Sequence, residues 1–77
     1  MAQPEPMPVE VPIRDEMIRL GQFLKLANVV EDGGEARELI ERGLVSVNDE
    51  VETRRGRQLH VGDTVRLGEH ALVVGSA

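Results

Sequence analysis

Gly33-Gly34-Glu35-Ala36-Arg37-Glu38-Leu39-Ile40-Glu41-Arg42-Gly43-Leu44-Val45-Ser46-Val47-Asn48-Asp49 changes period half-way along. Ala36, Leu39 and Ile40 recur at helical spacing and define one apolar stripe. Asp32 stands at the N-cap position, with Glu35 three residues later in the manner of a capping box. Gly33 and Gly34 weaken the first turn and leave its backbone N–H groups uncovered. Glu38 and Arg42 form an i,i+4 pair in the favourable order, and Gly43 ends the helix. From Val45 the period is two, which predicts a strand turning at Asn48-Asp49. A two-residue turn would set Val47 opposite Glu50 and Ser46 opposite Val51, placing Val51 on the other face from Val45 and Val47. A three-residue loop, Asn48-Asp49-Glu50, sets Val47 opposite Val51 and gathers the valines, so the longer loop is expected.

The same reasoning extends to both ends. Downstream, Leu59 and Val61 are expected to pair with Val65 and Leu67 across a Gly62-Asp63 turn. Gly68-Glu69-His70 then leads into a last strand, Ala71 to Val74. Upstream, Leu20, Phe23, Leu24 and Ala27 predict a helix from Leu20 to Ala27, with Asn28 as its terminator. Val9, Val11 and Ile13 alternate with Glu10, Pro12 and Arg14, which predicts a strand that Pro12 confines to a sheet edge. Asp15-Glu16 is a turn, and Met17 to Arg19 is a short extended lead into the helix. Pro4, Pro6 and Pro8 make residues 1–8 a flexible tail, leaving 9–77 as a single domain. The fold class is α+β: two short helices packed on a small, mostly antiparallel twisted sheet.

At 77 residues, with Phe23 the one aromatic side chain, the core must be aliphatic and has little room for a deep substrate pocket. The absence of cysteine excludes disulfides and thiolate metal sites. No apolar run spans a bilayer and no secretory signal is visible, so a cytoplasmic location and no membrane partner are expected. Formal net charge is −5, which opposes binding to a polyanion, but the charges are segregated. Asn28 to Gly43 carries five acids and two bases, whereas Thr53 to Val61 carries Arg54, Arg55 and Arg57 and no acid. A local cationic patch can bind phosphate on an acidic protein, with strong salt dependence.

Three guanidinium groups around Gly56 can fork onto phosphate oxygens; the alternative is a solvated loop. Lys25 and Arg37 could flank a groove beside that loop, and the helix start at Gly33 and Gly34 would add backbone donors. Alternatively Arg37 pairs with Glu41 and Lys25 is simply solvated. Neither His60 nor His70 has the neighbours of a triad or a metal site, and no nucleophile, base and orienter are grouped. An enzyme, a cofactor and a small-molecule substrate are therefore not expected.

Ile18-Arg19-Leu20, Phe23-Leu24-Lys25, Gly34-Glu35-Ala36-Arg37 with Leu39-Ile40, Gly43, Val45, Val47-Asn48 and Gly62-Asp63-Thr64-Val65 follow one another in a specific order. From Met17 to Leu67 this series resembles the RNA-binding domain of small-subunit ribosomal protein S-four, the αL motif, in its short stand-alone bacterial form. Where that family often has Ser or Thr with a basic residue at the second helix start, this chain has Asp32-Gly33-Gly34. The resemblance implies an αL-type fold and non-catalytic binding of structured RNA of the ribosomal or transfer class. It also implies RNA contacts from Lys25, Gly33, Gly34, Arg37, Asn48, Arg54, Arg55 and Arg57. The alternative is a protein-interaction adaptor with no direct RNA contact. A ubiquitin-like sulfur carrier is disfavoured, because the chain ends Gly75-Ser76-Ala77 in place of a Gly-Gly tail.

Overall fold

Both helices stop for the same physical reason. In the computed structural model, which describes residues 7–77, α1 (Leu20–Leu26) ends at Asn28 with φ 60° and α2 (Gly33–Glu41) ends at Gly43 with φ 76°. Each is a left-handed residue just past the C-cap. The Asn28 and Val29 N–H groups donate to the Lys25 and Leu24 carbonyls, and those of Gly43 and Leu44 donate to Ile40 and Leu39. These paired bonds satisfy carbonyls that the helix ends would otherwise strand. At the start of α2, Asp32 accepts a hydrogen bond from the Glu35 N–H at 2.8 Å, as its position predicted. Glu35 reaches back one residue further than a capping box requires, to the Glu31 N–H at 3.4 Å.

The strands fall into two groups. β1 (Val9–Ile13), β3 (Val45–Val47), β4 (Glu50–Val51), β6 (Thr64–Leu67) and β7 (His70–Ser76) form a sheet in the order β1-β7-β6-β3-β4. β2 (Met17–Arg19) and β5 (Gln58–His60) form a separate antiparallel ribbon. All pairings are antiparallel except β1 with β7. Pro12 lies on β1, at the sheet edge, where its missing donor is tolerated. Phe23, Leu24, Ile40, Val45, Val47, Leu59 and Val65 are fully covered, so the core is the aliphatic layer between the helices and the strands. The expected tail lies outside the described residues as far as residue 6, and Met7 is exposed.

Two expectations are corrected. The first hairpin uses the two-residue turn: Val47 faces Glu50 and Ser46 faces Val51. Asn48 and Asp49 adopt φ 50° and 69°, and two consecutive left-handed residues twist the turn in the sense the strands require. Val51 points outward and is 64% exposed. The second correction concerns Leu59 and Val61, which do not pair with Val65 and Leu67. Leu59 lies opposite Ile18 in the ribbon, Val61 is exposed, and Val65 and Leu67 pair with β3 and β7. The Gly62-Asp63 turn therefore carries the chain from one sheet to the other, and its Gly62 N–H donates to the Val74 carbonyl.

Candidate nucleic-acid interface

Helix α1 has no side-chain N-cap. Its first N–H groups are instead satisfied by the arginine loop: Leu20 donates to the Arg57 carbonyl at 2.9 Å and Gly21 to the Arg55 carbonyl at 3.0 Å. The Arg19 guanidinium closes the same junction by donating to the Gly56 carbonyl at 3.0 Å. The loop is thus docked through its backbone, and its side chains are left for other uses.

Two of the three loop arginines are engaged by Glu52. The two-residue turn that sends Val51 outward continues with Glu52 opposite Val45, where the Glu52 N–H donates to the Val45 carbonyl. Cross-strand partners share a face, and the Val45 face is the core face, so Glu52 is only 6% exposed. Its carboxylate accepts from the Arg54 N–H, Nε and Nη2 at 3.1, 3.1 and 3.3 Å, and from Arg57 Nη1 at 2.9 Å. Side-chain bonds from Arg54 and then Arg57 outweigh the opposing effect of burial and lower the Glu52 pKa from 4.5 to about 2. The Arg54 pKa is raised by the same bond.

Arg55 points elsewhere. With Arg19, Lys25, Gly33 and Gly56 it lines a cleft of about 290 Å³ between the loop, α1 and the start of α2. Among the described residues, Lys25 and Arg55 have no side-chain hydrogen-bond or ion-pair partner, so the cleft holds two unpaired cations and a third, Arg19, anchored at one nitrogen.

Residues 11–75 match the S4 domain family. The chain belongs to that family. Over 57 residues it is 53% identical to the probable ribosome maturation protein RlbA of Bacillus subtilis (strain 168), a span covering 74% of this chain and 80% of that protein. Its fold also matches the solution structure of YbcJ from E. coli, described as revealing an αL motif involved in RNA-binding. That match has a TM-score of 0.70 and 27% identity, over 99% of this chain and 98% of that one. The α+β class and the αL arrangement expected from the sequence are those observed.

The remaining sequence-predicted residues of this S4 domain fall outside the cleft. Arg37 pairs with Glu41 at 3.1 Å on the exposed face of α2, the alternative weighed for it above. Gly34 follows Gly33 into α2 but does not line the cleft. Asn48 works as a staple: its Nδ2 donates to Asp63 Oδ1 at 3.1 Å, and its Oδ1 accepts from the Thr64 N–H at 3.0 Å. Arg54 and Arg57 line a second, larger concavity of about 740 Å³, with Gly56, Gln58, His60 and Asp63. Sequence reading missed Glu52 and Arg19. Glu52 stands two residues before Arg54 and five before Arg57, immediately before the acid-free window taken as cationic. Arg19 ends a three-residue extended segment whose middle residue is apolar, a pattern that turns it outward.

Proposed function

We propose that this S4 domain, residues 9–77 acting as one unit, binds structured RNA of the ribosomal or transfer class without catalysing a reaction, in the cytoplasm and in the service of ribosome maturation. The observation that carries this reading is the convergence of Arg19, Lys25 and Arg55 on one cleft of an otherwise acidic chain. Backbone phosphate is the ligand class that three close cations in a concave site attract, and shape is read in preference to base sequence. Lys25, Gly33 and Arg55 are the centre of the proposed surface. Gly34 contributes at the helix start, and Arg54 and Arg57 lie at the margin with much of their charge answered by Glu52. Arg37 and Asn48 take part only through the structure they hold.

Three contacts imply a slope of log affinity against log salt of about 2 to 3. The test is a titration of labelled ribosomal RNA fragments at two salt concentrations. Lys25→Ala/Arg55→Ala should weaken binding and flatten the slope by about 1.5; unchanged affinity would remove the cleft from the mechanism. A protein partner is the second reading, favoured by exposed Leu44 and Val51 beside Gly43. It requires that a partner captured by the purified protein be retained after RNase treatment.

A further inference from the structure

The ribbon formed by β2 and β5 has one face in the core and one in solvent. Leu59 is fully buried opposite Ile18, so the neighbouring positions on both strands point the other way. Register places Arg19 directly opposite Gln58, and Met17 opposite His60. Arg19, Gln58 and His60 are all exposed. The Gln58 side chain has no hydrogen-bond partner among the described residues.

This outer face joins the cleft without a break. Gly56 lines both the 290 Å³ cleft and the 740 Å³ concavity, and the Arg19 guanidinium is bonded to its carbonyl. Arg19 belongs to the cleft; its partner Gln58 belongs to the concavity. Among the described residues Asp63 is the only carboxylate lining either, and its oxygens are occupied by the His60 N–H at 2.8 Å and Asn48 Nδ2 at 3.1 Å. The path Lys25–Arg55–Arg19–Gln58–His60 therefore runs over three cations, an amide and an imidazole, with its one carboxylate at the far end and engaged.

We propose that the outer face of the ribbon is a second contact surface for the RNA held in the cleft, with Arg19 bridging the two and Gln58 and His60 touching the sugar-phosphate backbone beyond it. The proposal rests on the RNA-binding reading and extends it to residues outside the loop and helices. Charge complementarity and continuity with the cleft select RNA as the occupant. A protein partner here would instead give binding that survives RNase.

Gln58 offers a clean test, because it is exposed, unpartnered and on a strand. Labelled ribosomal RNA fragments are titrated across a salt series against wild type, Gln58→Arg, Gln58→Glu and Glu69→Gln. Glu69→Gln adds one positive unit at the exposed β6–β7 turn of the other sheet and so controls for net charge. Gln58→Arg should tighten binding and steepen the log–log salt slope by about 0.7 to 0.9. Gln58→Glu should weaken binding about fivefold at low salt, the size of one unit-charge contact in water. Melting temperatures are compared to confirm that all variants are folded. If both position-58 variants shift binding no more than Glu69→Gln, while Lys25→Ala/Arg55→Ala still weakens it, the ribbon surface is refuted and the cleft stands. If wild type binds no RNA, both readings fall together.

Discussion

Replacing Glu52 with Gln removes one negative charge and almost no volume from the point where β4, β3 and the arginine loop meet. A carboxyl group lowered from 4.5 to about 2 on folding contributes, at neutral pH, the free energy of that difference, about 3 kcal/mol in gross terms. That figure is an upper limit. The carboxylate is covered largely by its own partners, and the Arg54 side chain is 76% exposed and Arg57 34%, so water screens the pair. A loss of about 1 to 2 kcal/mol is expected for Glu52→Gln at pH 7. The pH dependence carries the diagnosis. A carboxyl group with a depressed folded-state pKa stabilises fully above its unfolded value and loses that contribution as pH falls through the folded value. The difference between wild type and variant should therefore be complete at pH 7, begin to shrink near 4.5 and approach zero near 2. With no Trp or Tyr, urea unfolding is followed by far-ultraviolet circular dichroism. A variant destabilised equally at pH 7 and at pH 2.5 would refute the charge argument and leave only altered packing.

Other changes test the turns and the surface. Gly43→Ala forces a side chain into φ +76° and should lower stability by about 1 to 2 kcal/mol in the same urea assay. Asn48→Gly keeps the left-handed turn but drops the Asp63 and Thr64 bonds, so it should destabilise by about 1 to 2 kcal/mol, and Asn48→Ala by more. Glu38→Gln breaks an exposed pair at 3.9 Å and should change the thermal midpoint by no more than about 0.5 kcal/mol allows.

The helices were legible because their signals are local. Asp32, Gly43 and Asn28 each act within a few residues, through backbone groups that the chain itself brings together. The hairpin shows where a sound rule loses to a stronger one. Gathering Val45, Val47 and Val51 on one face assumed that all three are core residues. Asn48-Asp49 prefers two left-handed residues, and β4 is a two-residue strand at the edge of the sheet formed by the described residues. Val51 gives up burial, and Glu52 takes the inward position. The pairing of β5 with β2 was illegible because it joins residues about forty apart, and nothing in Leu59 or Val61 names a partner across that distance.

The cleft proposed as the site was half legible for a related reason. Composition correctly marks residues 54–57 as basic, but charge counts do not say which cations are spent internally. Reading the register first resolves it: once Glu52 faces inward beside Val45, burial demands a cation, and Arg54 and Arg57 are the nearest in sequence. Arg55, between them, has its backbone carbonyl fixed by the Gly21 N–H, and its side chain is unpaired among the described residues. The loop is therefore ordered by its backbone and by two arginines that face Glu52, while the third is held out toward α1 and Lys25. An anion entering the cleft would meet a loop backbone already in place, so folding has supplied that part of the ordering entropy that weakens flexible basic tails, while the Lys25 and Arg55 side chains would still be ordered on binding. This arrangement also explains how a chain of net charge −5 can present a cationic cleft: Glu38 and Glu41 of α2 pair with Arg42 and Arg37 on the exposed face of the helix, Glu35 bonds back to the Glu31 N–H, and Glu52 is consumed beneath the loop.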